Sequence, residues 1–353
     1  MMGITVLLVI FLMFCGGRLN FLRDAIHEDF MSKNHTNAVK GIFVVFIILA
    51  HFQQYVPSAT GLLNFPFIFV REYIGQLIVT PFLFVSGYGI IKVYMRKGTS
   101  YLLSFPQKRI FLTLLHFDFG ILLFVLVNLM FQKIYSIREY LTALVGWNSI
   151  GNSNWYIFAI LCLYSITFIA GILLYNKTST RNLALVTTIG VLAYIFVISF
   201  FKKPVFYNTV MCYPAGMWFG IYEEKIKSII RRRSAWLTII GLLGGVFMIA
   251  FLVSPIYSIK AVCFPLLIFI FTARFSINNC ILIWLGEHTF SIYMLQRLPM
   301  NIIDYIATKK VNPNAYLLGV LFLTILLAWI FDYFMQHVDE WIKTFGDTRN
   351  VTS

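Results

Sequence analysis

Residues 39–51 read Val39-Lys40-Gly-Ile-Phe-Val-Val-Phe-Ile-Ile-Leu-Ala-His51. Ten residues without an ionisable group separate a lysine from a histidine. In an α-helix eleven steps of about 100° make three turns plus roughly 20°, so both side chains fall on one face, about 16 Å apart along the axis. No Lys, Arg, Asp or Glu follows before residue 55, which predicts a helix long enough to cross hydrocarbon with a cation near one end and an imidazole near the middle.

The rest of the chain repeats this pattern. Of its 353 residues 59% are hydrophobic, 18% aromatic and only 12% charged, with a mean hydropathy of +0.81. Soluble domains carry about 25% charged residues, so this chain lacks the polar surface a water-soluble enzyme or a disordered tail needs. Apolar runs at residues 3–17, 39–55, 73–91, 110–131, 154–175, 183–201, 205–222, 235–253, 260–273, 281–300 and 315–335 predict about eleven membrane helices. They show no in/out alternation, and open sheet edges cannot be satisfied in lipid. The fold expected is an all-α, polytopic integral membrane helical bundle. Residues 1–38 read as an extra, retained N-terminal span with an interfacial segment at 18–38, 39–335 as the membrane core, and 336–353 as a tail. Pro265 marks 260–273 as a broken or tilted span.

The net charge of +14 comes from 28 Lys and Arg against 14 Asp and Glu. The cations sit in short loops between apolar runs, where they orient the chain, so no nucleic-acid partner is expected. Alternate loops hold 18 and 8 of them, with Lys40 and Arg297 at or inside helix ends. The richer set, which includes Arg18, Arg23, Lys33, Lys108, Arg109, the Lys225–Arg233 cluster and Arg274, is expected inside with the C-terminus. The three Asn-x-Ser/Thr sequons, at Asn34, Asn176 and Asn350, fall on that side and are expected to be unused. The five cysteines show neither CxxC pairing nor metal-ligand spacing, and no metal is expected.

An ionisable residue at membrane depth is costly and therefore a candidate for function. For Lys40 and His51 two readings stand: an interfacial anchor with a satisfied core histidine, or a working pair. From this point the sequence resembles the acyltransferase 3 family of membrane O-acyltransferases, many of which acetylate bacterial surface sugars. The family opens with Arg or Lys, ten residues and His, as Lys40 and His51 do. Pro81-Phe-Leu-Phe-Val-Ser-Gly-Tyr-Gly89 is similar to its Pro-x-Phe-Phe-x-x-Ser-Gly-Phe stretch. Residues 101–110 resemble its loop with a basic pair, here Lys108 and Arg109. Asn154-Trp155-Tyr156 and Leu285-Gly-Glu-His-Thr-Phe-Ser-Ile-Tyr293 resemble later motifs. Residues 36–335 are covered, in order. Two positions depart: Leu112 stands where a further Arg is frequent, and Gln296 where a His is frequent, which raises the question whether Gln296 or His288 takes that place.

The resemblance implies transfer of an acetyl group from cytoplasmic acetyl-CoA, a co-substrate and not a resident cofactor, to a carbohydrate or glycolipid acceptor at the bacterial cytoplasmic membrane. A neutral imidazole suits removal of a hydroxyl proton, which makes His51 the catalytic candidate, as general base or as transient acyl carrier. Lys40, Lys108 and Arg109 are candidates for the donor phosphates. Ser86, Asn154, Trp155, Tyr156, Glu72 and Tyr293 are candidates for the acceptor or the cavity wall, against the plainer readings of helix packing for Ser86 and an aromatic belt for Trp155 and Tyr156. Asp118 and Asp332 are expected to pair with neighbours. The rivals are a transporter or flippase with His51 as proton relay, and an acyltransferase using another donor such as succinyl-CoA.

Overall fold

The computed structural model describes residues 2–15, 17–56, 61, 64–174, 179–253, 257–307 and 311–349. The sequons Asn176 and Asn350 lie outside them, whereas Asn34 sits in the first turn of a helix. The described helices are α1 (Met2–Phe14), α2 (Lys33–Phe52), α3 (Phe65–Phe69), α4 (Thr80–Lys97), α5 (Thr99–Leu103), α6 (Leu112–Met130), α7 (Ile137–Leu144), α8 (Trp155–Leu173), α9 (Thr180–Ser199), α10 (Cys212–Ile230), α11 (Arg233–Leu252), α12 (Tyr257–Thr272), α13 (Cys280–Glu287), α14 (Thr289–Leu295), α15 (Arg297–Ile306) and α16 (Pro313–Arg349). Wider π-type turns at Val70–Ile74 and Pro106–Phe111 and a 3₁₀ turn at Gly75–Val79 lead into the helices that follow them.

Seven stretches are long and apolar enough to cross a membrane by length and composition: Lys33–Phe52, Phe65–Lys97, Pro106–Met130, Trp155–Leu173, Thr180–Ser199, Arg233–Leu252 and Pro313–Thr344. Gly3–Phe14 and Tyr257–Thr272 are shorter apolar helices. The protein is an all-α integral membrane bundle, with seven such stretches among the described residues against the eleven or so expected. Two expected spans and the expected interfacial segment differ in form. The 281–300 span is three short helices: His288 leaves helical geometry (φ −90°, ψ 13°), and a turn at Gln296, whose own dihedrals stay helical (φ −55°, ψ −31°), separates the second from the third. Helix α12 runs unbroken over Pro265. Residues 18–38 hold no interfacial helix: Arg18–Phe21 form strand β1, paired antiparallel with β2 (Phe275–Asn278) in the register Arg18↔Asn278 to Phe21↔Phe275.

Local sequence sets the element ends. Ser32 caps α2 by accepting from the His35 amide at 3.3 Å, and Asn279 caps α13 by accepting from Leu282 N at 3.1 Å. Helix α4 ends at Gly98 (φ +61°), whose amide donates to Tyr94 O at 2.8 Å. The closest helix pairs are α4 with α10 and α2 with α13. A Cβ on Gly87 would overlap the Tyr213 carbonyl, and one on Gly41 the Leu282 carbonyl, so backbone meets backbone at both crossings.

Polar contacts sort the loops into the two ends that the charge pattern separates. At one end Arg274, fully buried, donates to the carbonyls of Leu22, Arg23, Ile230 and Arg231 at 2.5 to 3.3 Å. There Arg231 pairs with Glu28, Lys92 with Glu223 and Lys33 with Glu287. At the other end Arg297 reaches Ser153 and Gln54, Lys202 donates to the Trp147 carbonyl, and Lys133 lies over the Tyr305 ring.

Candidate functional site

The unbroken helix α2 delivers Lys40 and His51 to two different cavities that share a wall. The first, about 540 Å³, is lined by Lys33, Asn37 and Lys40 of α2, Ser86 and Gly89 of α4, Arg109 and Thr113, Tyr156 and Tyr164 of α8, and Glu287 and Tyr293. The second, about 450 Å³, is lined by His51, Gln54, Gln76, Ser149, Asn152, Ser153, Asn154, Trp155, Tyr293 and Arg297. Ile47, Val79 and Tyr293 border both. The His51 and Tyr293 rings are 6.4 Å apart, and the Tyr293 and Tyr156 rings 5.3 Å. The imidazole therefore stands at the junction of a basic cavity and an amide-rich one.

Arg109 enters the basic cavity from the π-type turn ahead of α6. Its Nε donates to Tyr101 Oη at 3.3 Å, and among the described residues no carboxylate lies within 4 Å of Arg109 or Lys40. Lys33, at the mouth, is the cation there that has one, Glu287 at 3.2 Å, and Glu287 also accepts from Asn37 Nδ2 at 3.3 Å. Ser86 Oγ and Tyr164 Oη share a hydrogen bond of 3.0 Å. Two unpaired cations beside a row of hydroxyls can receive phosphate oxygens, with Arg109 offering a planar fork.

In the second cavity, His51 Nδ1, Gln76 Oε1 and Asn152 Nδ2 are buried without a protein partner, and so is Tyr293 Oη between the cavities. Such groups are costly unless a ligand or water satisfies them. Asn154 Nδ2 donates to Gly146 O at 2.8 Å, so it braces the loop as well as lining the cavity. The amides of Gln54, Gln76, Asn152 and Asn154 and the hydroxyls of Ser149, Ser153 and Tyr293 stand among aliphatic side chains beside the indole face of Trp155, a surface suited to sugar hydroxyls.

Of the residues singled out from sequence, Lys40, Ser86, Arg109, Tyr156 and Tyr293 meet in the first cavity, and His51, Asn154, Trp155 and Tyr293 in the second. Lys108 is exposed and Glu72 is exposed; neither lines these cavities. Lys108 is the immediate neighbour of Arg109, and in a helical turn adjacent side chains point about 100° apart. His288 turns away, pairing through Nδ1 with Asp332, which also accepts from Ser291. Gln296, fully buried, lies beside His51 and donates to Tyr293 O at 3.0 Å. Asp118 lines neither cavity and, against expectation, its buried Oδ1 has no partner among the described residues. Sequence reading passed over Tyr164, Glu287, Gln54 and Arg297. The last gave a signal: a lone cation inside a predicted helix on the side poorer in positive charge.

The family model of the acyltransferase 3 type, an acyltransferase domain, matches residues 36–333. The chain belongs to the acyltransferase 3 family. No curated protein and no solved structure matches it. The matched segment opens inside α2, four residues before Lys40, and closes in α16 just past Asp332, so it takes in the lining of both cavities except Lys33 while leaving out α1 and β1.

Proposed function

We propose that this membrane acyltransferase moves an acetyl group from cytoplasmic acetyl-CoA to a hydroxyl of a cell-surface polysaccharide or its lipid-linked precursor. The observation that carries the reading is the meeting of the two cavities at His51 and Tyr293. The donor enters at the end where Arg18, Arg23, Lys33 and the Lys225–Arg233 cluster gather, an end the charge bias assigns to the cytoplasm. Lys40 and Arg109 take its phosphates, and the pantetheine arm runs along α2 toward Tyr293. The acceptor occupies the second cavity, on the amides of Gln54, Gln76, Asn152 and Asn154 and the face of Trp155.

His51 then removes the proton of the acceptor hydroxyl. The oxygen attacks the thioester carbonyl carbon, the carbon–sulfur bond breaks, and the departing CoA thiolate takes the proton from the imidazolium. One histidine thus serves as base and acid in turn. Tyr293, on the wall that the two cavities share, donates from its Oη to the oxyanion that forms there.

The test is mass spectrometry of surface glycan from cells with and without the protein, alongside transport of a labelled glycolipid. An acetyl increment that requires the protein is the expected result. Protein-dependent glycolipid movement with no acyl gain on any glycan would replace this reading with a transporter. A succinyl increment would keep the enzyme class and change the donor.

A further inference from the structure

Arg297 opens α15 and lines the second cavity with His51. Its Nε donates to Ser153 Oγ at 3.1 Å, one Nη to Tyr55 Oη at 3.5 Å, and the other to Gln54 Oε1 at 2.8 Å. All three partners are neutral. Among the described residues no carboxylate lies within 4 Å of this guanidinium and no Asp or Glu lines the cavity. The next acid on α15, Asp304, is seven residues on, about 10 Å along the axis. A half-buried cation inside a membrane bundle is ordinarily held by an opposite charge. Here a hydroxyl, a phenol and an amide fix its orientation and leave its charge unneutralised.

A second observation points to a ligand at the same place. Asn152, only 3% exposed, lines the cavity with its Nδ2 unpaired, as do Gln76 Oε1 and His51 Nδ1. The cavity thus offers donors and acceptors for sugar hydroxyls, and one aimed cation that a neutral sugar would leave uncompensated.

We infer that the acceptor is a sugar carrying an oxyanion, a uronate carboxylate or a phosphate, and that Arg297 receives this group while His51 faces the hydroxyl to be acylated. Arg297 is a specificity-determining residue for the acceptor. The inference rests on reading the second cavity as the acceptor site.

The test uses the full chain purified in detergent, with methyl β-glucuronide, glucose 1-phosphate and methyl β-glucoside as probes in equilibrium binding. Loss of one charge-assisted hydrogen-bonded contact corresponds to roughly 10- to 150-fold in affinity. Wild type is expected to bind at least one anionic probe tighter than the glucoside by that factor, with the better of the two showing whether carboxylate or phosphate is read. Arg297→Gln is expected to remove the preference. Gln54→Glu leaves Arg297 in place and neutralises it from a side chain it already touches, so it should remove the preference with no loss of the guanidinium's packing. Equal binding of all three probes, binding of none, or a preference that survives in Gln54→Glu would overturn the inference. Protein-dependent acetylation of a neutral glycan in the same preparation would at the same time leave the acyltransferase reading standing.

Discussion

Arg109 is the sharpest place to probe the donor side. Its Nε is engaged by Tyr101, while among the described residues no protein group is bonded to its two Nη nitrogens, which leaves a fork free for a phosphate. Removing a hydrogen bond to a charged group costs about 1.5–3 kcal/mol. At about 1.4 kcal/mol per tenfold, that is roughly 10- to 150-fold. Lys40 borders the same cavity and retains part of the attraction, so the lower half of that range is expected for Arg109→Gln. The loss should lie in KM for acetyl-CoA with kcat little changed, because the phosphates are equally bound in ground and transition states. The assay is steady-state transfer with acetyl-CoA and, in parallel, with acetyl-pantetheine, which has no phosphates. Arg109→Gln should be nearly silent on the truncated donor. An equal loss on both donors, or an unchanged KM for acetyl-CoA, would refute the assignment of Arg109 to the phosphates.

Two further predictions concern the frame that holds the site. Gly87→Val drives a side chain into the Tyr213 carbonyl at the α4–α10 crossing and should cost about 1–3 kcal/mol, read as a lower thermal unfolding temperature in detergent. Gly89→Ala, where a Cβ meets nothing within 4 Å, should leave that temperature unchanged. Arg274→Met removes the donor to four loop carbonyls and leaves buried acceptors unsatisfied at about 1–3 kcal/mol. It should speed proteolysis of the 18–28 and 230–233 loops, and an unchanged digestion pattern would contradict the clamp.

Much of the site was legible because its key spacing is local. Lys40 and His51 share a helix, and eleven residues fall close to whole turns, so their common face follows from helix geometry alone. The alternation of basic loops was legible for a similar reason, and the contacts of Arg231 with Glu28 and of Arg274 with Leu22 and Ile230 join loops that the charge pattern put on one side. What stayed hidden depends on partners far apart in the chain. Arg297 meets Ser153, Tyr55 and Gln54 across 144, 242 and 243 residues, and no periodicity reports such a meeting. Lys108 and Arg109 look equivalent as a basic pair, yet only Arg109 reaches the cavity, because adjacent helical positions diverge and the π-type turn fixes which one points inward. The interruption at His288 was hidden too, because neither Gly nor Pro stands at that position to mark it.

The central claim is that His51 performs proton transfer at the junction of the two cavities. The most direct measurement is acetyl transfer from labelled acetyl-CoA to glycan by purified wild type, His51→Ala and His51→Gln, each matched for membrane insertion and for acetyl-CoA binding. The account predicts normal donor binding in all three and transfer by the wild type alone. Transfer retained by either variant would contradict it, and would move the base to another residue of the second cavity.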